Sequence, residues 1–130
     1  MIPTVVESVE LEAQRYFTLG DYFIKDGVRY FRITKIGDDL MDDLVFLHEF
    51  VEELLTRHRN IPEEEIFKFD LWVENEIEKG NYPDDAEPGA HKLSPYKKEH
   101  LFAEKIERMV AKELKINWEN YNKELNEIIK

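Results

Sequence analysis

The tripeptide Gly37-Asp38-Asp39 separates a stretch patterned like β-strands from a longer stretch patterned like α-helices. Strands gathered ahead of helices cannot alternate into βαβ units, so the division points to an α+β domain. In the first stretch, Tyr22-Phe23-Ile24-Lys25 and Val28-Arg29-Tyr30-Phe31-Arg32-Ile33-Thr34 are rich in aromatic and β-branched residues, which suit a pleated, half-buried surface. Asp26-Gly27 lies between them and is a strong two-residue hairpin signal, because both turn positions require positive φ. Upstream, Val9-Glu10-Leu11-Glu12-Ala13 alternates apolar and polar residues, as a half-buried strand does. The expectation is a small N-terminal antiparallel sheet of two or three strands within residues 1–37.

Residues 38–130 read as three to four helices. Either Asp38 or Asp39 can cap the first, whose apolar stripe is Leu40, Leu44, Leu47, Val51, Leu54 and Leu55, running to about His58. Ile61-Pro62-Glu63-Glu64-Glu65 opens the second, with proline and acidic residues suited to a first turn, and it runs to Lys79-Gly80. Pro83, Pro88 and Gly89 make residues 81–93 a loop. Ser94-Pro95 reads as cap and first residue of the third helix, whose stripe is Phe102, Ile106, Met109 and Val110 up to Leu114. Trp118, Tyr121, Leu125 and Ile128 anchor a short last helix.

The chain has 130 residues, room for one domain, and its hydrophobic residues, 42% of the total, are enough for a core. The absence of cysteine excludes disulfides, thiolate metal sites and cysteine nucleophiles. A net charge of −11 opposes binding to nucleic-acid backbones; the basic clusters Lys92, Lys97, Lys98 and Arg57, Arg59 are too diluted to reverse this. Residues 1–7 do not have the pattern of a signal peptide, and no apolar run is long enough for a membrane span. The expected setting is cytoplasmic, with no membrane and no nucleic-acid partner, and another protein as the partner to consider.

Chemistry concentrates in two histidine–carboxylate pairs, His48 with Glu52 and His100 with Glu104. Residues four apart share a helix face, so each pair presents an imidazole and a carboxylate to one point. Both histidines fall at the margin of an apolar stripe, where two helices in contact would bring them together. Such a set suits zinc or iron. The first pair also contains Glu49, giving His-Glu-x-x-Glu. The zinc-peptidase pattern His-Glu-x-x-His uses its glutamate as general base and both histidines as ligands. Here Glu52 takes the place of the second histidine. The expected ligands of a divalent metal are therefore His48, Glu52, His100 and Glu104, with Glu49 as catalytic base. The same pairs also fit a surface or capping role worth a few tenths of a kcal/mol. His58, at a helix C-terminus, and His91, in a loop, fit structural roles better. Asp70 and Glu74 could support a histidine from the second helix.

Several stretches resemble a family of uncharacterised phage and prophage-type bacterial proteins: Gly20-Asp21-Tyr22, Leu47-His48-Glu49-Phe50-Val51-Glu52, Phe69-Asp70, Glu87-Pro88-Gly89, and Pro95-Tyr96-Lys97-Lys98-Glu99-His100 with Ala103-Glu104-Lys105-Ile106-Glu107-Arg108. This likeness implies a shared fold and carries no activity with it. The order of strands, His-Glu helix and later helical ligand also looks like a minimal zincin-type metallopeptidase, which would imply metal-dependent hydrolysis. The alternative is a non-catalytic acidic protein, acting through protein interaction or as a phage accessory or structural component.

Overall fold

A hairpin with both turn residues in the left-handed region organises the sheet: Asp26 has φ 52° and Gly27 φ 78°, as the Asp-Gly pair requires. It joins β2 (Gly20–Lys25) to β3 (Val28–Thr34) in an antiparallel pair. The structure, a computed structural model, describes residues 1–129. The third strand, β1 (Thr4–Val9), lies on the other side of β3 and runs parallel to it, giving the order β1-β3-β2. The sheet is therefore mixed, where an antiparallel one was expected. The chain reverses between β1 and β2 and again at the hairpin, so β3 points the same way as β1.

The first strand also sits earlier than Val9–Ala13. Val9 pairs with Thr34, the last residue of β3, so the chain beyond Val9 has no strand to pair with. It turns at once into a short 3₁₀ segment, Leu11–Ala13. Alternation in those five residues is a local pattern, whereas the length of the partner strand ends the ladder.

Four helices follow: α1 (Asp39–His58), α2 (Glu63–Glu78), α3 (Lys97–Glu113) and α4 (Trp118–Ile128). With the sheet they form the expected α+β arrangement. Asp38 caps α1 by accepting the Met41 N–H at 3.1 Å, and Asn117 caps α4 by accepting the Asn120 N–H at 2.9 Å. Pro62 stands just before α2. Tyr96 stands just before α3, so Ser94-Pro95 precede the helix, and the Ser94 hydroxyl accepts the Tyr96 N–H at 3.2 Å. None of the helices described is long and apolar enough to cross a membrane.

Two apolar clusters fill the interior. Ile33, Met41, Leu44, Val45, Ala111, Tyr121 and Leu125 form one; Tyr22, Phe31, Ile66 and Tyr96 form the other. The faces turned inward differ from the expected stripes on two helices. On α1, Leu40 and Leu54 are exposed, while Glu52, Glu53 and Thr56 are buried. On α3, Phe102 and Met109 are exposed, and the buried line is Glu99, Ala103, Glu107 and Ala111 at intervals of four. Small alanines in that line let α3 approach α1 closely, and the glutamates between them are buried because each finds a partner. Glu53 is one such case: it bonds buried Arg29 at 2.8 Å and Arg57 at 2.8 Å, which fastens α1 to β3.

Candidate metal centre

The contact between α1 and α3 brings His48 and His100 together, with ring centroids 4.8 Å apart. His48 Nε2 and His100 Nδ1 face each other at 3.2 Å. Between them lies Glu52, whose Oε2 is 3.1 Å from His48 Nε2 and 3.0 Å from His100 Nδ1. These three donor atoms lie within 4.8 Å of one another, in a grouping fit for a metal ion. His48 and His100 expose 12% of their side chains and Glu52 6%, so the cluster is nearly out of bulk water.

The outward nitrogens are also engaged. His48 Nδ1–H donates to Glu107 Oε1 at 2.9 Å, and His100 Nε2–H donates to Glu87 Oε2 at 3.1 Å. Each bond fixes a proton on the outer nitrogen, so that loss of the inner proton would leave a lone pair pointing to the centre. The carboxylates are themselves held. Tyr121 of α4 donates to Glu107 Oε2 at 2.6 Å, and Tyr22 of β2 donates to Glu52 Oε1 at 2.9 Å. A tetrahedral ion with bonds of about 2.0–2.1 Å separates its ligands by roughly 3.3 Å. The inner atoms, at 3.0–3.2 Å, need only a small expansion to reach that spacing.

Without an ion, the charges balance around protons. Burial disfavours a charged His48, but the bonds to Glu107 and Glu52 outweigh it and hold its pKa well above the ordinary value. Burial likewise opposes charge on His100, yet the bonds to Glu52 and Glu87 raise it to about 9. Burial would raise Glu52; the bonds from His100 and His48 prevail and lower it to about 2. Glu87 is lowered chiefly by its bond from His100. Glu49 behaves in the opposite way. Burial and the adjacent Glu52 push its carboxyl well above the usual range, and among the described residues no hydrogen bond holds it down.

Two glycines make room for these groups. A Cβ at Gly20 would lie 2.5 Å from Glu49 Cγ, and one at Gly89 would lie 2.3 Å from His100 Cγ. The Gly89 backbone is pressed against the imidazole by the short 3₁₀ turn Pro88–Ala90. A cleft of about 440 Å³ opens onto the cluster, bounded by Gly20, Glu49, Tyr96 and Gly89 among others. Glu49 lines it, so its carboxyl can meet a molecule there.

Of the expected ligands, His48, Glu52 and His100 come together. Glu104 does not join them: it pairs with Arg108 at 3.5 Å. The α3 carboxylate that does reach His48 is Glu107, one turn further on, in line with Ala103 and Ala111. That inward line of small residues was the available signal for it. Glu87 was hidden in a loop with no periodicity. Asp70 reaches neither histidine; it accepts Tyr16 and Tyr96 hydroxyls at 2.7 Å each. Glu74 accepts the Phe17 N–H at 3.3 Å. His91 stays apart, bonded to the Tyr82 hydroxyl at 3.1 Å and packed against Phe69 and Trp72. His58 ends α1 on the surface.

Residues scattered along the chain meet here: Gly20 against Glu49, Tyr22 on Glu52, and Glu87 and Gly89 on His100. No known family model, curated protein or solved structure matches the chain.

Proposed function

We propose that the protein binds one divalent transition-metal cation through His48, Glu52 and His100, and that Glu49 serves as the proton acceptor of a hydrolytic reaction in the adjoining cleft. One observation carries the reading. Both imidazoles aim their inner nitrogens at a shared carboxylate oxygen, while both outer nitrogens are bonded to separate carboxylates. That is how metal-ligating histidines are oriented, and a simple ion pair does not need both outer anchors. Two histidines and one glutamate fit zinc. They also match catalytic sites, which keep an open position, better than structural sites closed by four protein ligands.

A bound dication would lower the pKa of water at its open position towards neutrality and polarise an acyl oxygen. The chain supplies the rest. Glu49 has no hydrogen-bond partner among the described residues and borders the cleft; a dication nearby would favour its ionised form, which would take a proton and return it to a leaving group. Tyr22 and Glu107 hold the ligands in register. A phage-type origin and a cytoplasmic setting belong to the same reading, the first resting on the sequence likeness of the quoted stretches and the second on the absence of cysteine.

The test is metal analysis of untagged protein, together with thermal melts before and after chelation. Near-stoichiometric zinc, iron, manganese or nickel, and a melting temperature that falls on chelation, are expected. No such metal and no stabilisation on adding it would sink the proposal. A second reading, a non-catalytic acidic interaction protein, is favoured by the apolar residues Leu101, Phe102 and Met109 left exposed on α3. A His48→Ala variant that folds and binds a partner normally would favour it.

A further inference from the structure

We infer that the cleft beside the candidate metal centre selects a basic peptide, a chain carrying lysine or arginine side chains. The inference rests on the metal-centre reading only for where the scissile bond would lie; the charge preference follows from the walls of the cleft.

The whole chain holds 29 acidic and 18 basic residues, a modest excess. The cleft is far more biased. Among the described residues, ten carboxyl groups line it against one arginine and the two histidines of the centre. That arginine is already used: Arg15 bonds Asp21 at 2.7 Å and Glu63 at 2.7 Å, and stacks on Phe23 and Phe67. Asp70 is taken by two tyrosines, Glu87 by His100, and Glu52 lies between the histidines. Glu49, Glu74, Glu78, Asp84 and Asp85 are left without an ion-pair partner among the described residues. Glu49 lines the cleft half-buried and, among the described residues, with no hydrogen bond, which is an independent sign that a polar ligand group belongs there. The other four lie on α2 and the loop after it. Burial and the nearby Glu78 raise the Glu74 pKa.

Between these carboxylates the walls are apolar, with Ile66, Phe67, Ile77 and Leu125. A lysine or arginine side chain matches this mixture. Its aliphatic stem lies along apolar surface while its charged end reaches a carboxylate. Low-dielectric walls lined by one sign of charge focus the field and raise the local concentration of counter-charged ligand. An acidic chain would meet repulsion from Glu74, Glu78, Asp84 and Asp85.

The test uses the full protein and three capped hexapeptides that differ at two positions, carrying lysine, norleucine or glutamate. Binding is measured by isothermal titration at low salt and at about 0.5 M salt, where surface attraction is strongly screened. The lysine peptide is expected to bind roughly tenfold more tightly than the norleucine peptide at low salt, with the glutamate peptide weakest. The gap should shrink at high salt. A variant carrying Glu74→Gln, Glu78→Gln, Asp84→Asn and Asp85→Asn should lose most of the preference while keeping its metal content. Gln at position 74 keeps the acceptor for the Phe17 N–H, so the loop stays in place. Equal binding of lysine and norleucine peptides, or an unchanged preference in the variant, overturns the inference. Each titration is run on chelated protein as well. A lysine preference without metal uptake would leave this inference standing and refute the metal centre, while metal uptake without a preference would do the reverse.

Discussion

His48 depends on a residue it could not be paired with from spacing alone. Glu107 holds the outer nitrogen of the imidazole and is held in turn by Tyr121, so the inner nitrogen is aimed from α4 through two hydrogen bonds. Glu107→Gln keeps an acceptor of similar shape but removes the charge. Loss of roughly 10–100-fold in zinc affinity is expected, as for other carboxylates behind metal-bound histidines, and competition with a chromogenic chelator measures it. Unchanged affinity would mean that the Glu107 bond is structural only. Legibility at this scale followed the same line. His48, Glu49, Glu52 and His100 stood out because helical spacing places them on single faces. Glu107 and Glu87 did not, because their partners come from other elements, and Glu104 stood out wrongly because its spacing from His100 matched Glu52 from His48.

At the scale of elements, the contact between α1 and α3 depends on volume. Ala103 is fully buried and Ala111 nearly so, and the glutamates in the same line reach across to His48 of α1 and to Arg59 just after it. Ala103→Leu would push the helices apart at the level of the two histidines. Overpacking of this kind costs about 1–3 kcal/mol, to be read from denaturant melts, and it should lower metal affinity as well, since His100 lies one turn away. Wild-type stability and affinity in that variant would show that the helices have slack. The hairpin was readable because Asp26-Gly27 is a local requirement satisfied by local residues. The first strand was misplaced because its end is set by β3, not by its own alternation. The stripe on α3 was misread because Phe102 and Met109 lie outside, while the buried line is made of alanines and glutamates whose burial depends on their partners.

For the whole molecule, several groups respond to pH in the same sense. Burial, resisted by the Tyr96 and Tyr16 bonds, raises the Asp70 pKa from 3.8 to about 7. The folded state therefore holds this proton more tightly than the unfolded chain does. The associated stability is complete below 3.8 and is lost as pH climbs through 7. His100 acts likewise between its ordinary 6.5 and about 9. The metal-free protein should melt at higher temperature near pH 6 than near pH 8.5, by an amount on the order of a few kcal/mol. Asp70→Asn retains a bond to one tyrosine and removes the charge, so it should flatten the lower part of this slope. Metal reverses the upper part, because its ligands must shed their protons to bind it. Melting curves for the two proteins, with and without zinc across that range, check both statements. A wild-type slope unchanged by Asp70→Asn would show that the aspartate stays ionised.

Gly20 and Gly89 give the centre a tolerance that its charged residues do not reveal. Each stands where the only room for a side chain is already taken, by the Glu49 carboxyl at one place and the His100 ring at the other. A single added methyl would compete for that space, and His100 could yield only by leaving Glu52, Glu87 or both. At these two positions the backbone works as a mould. The cluster owes its shape to atoms the chain omits as much as to those it carries, so its geometry can be altered from residues with no chemistry of their own.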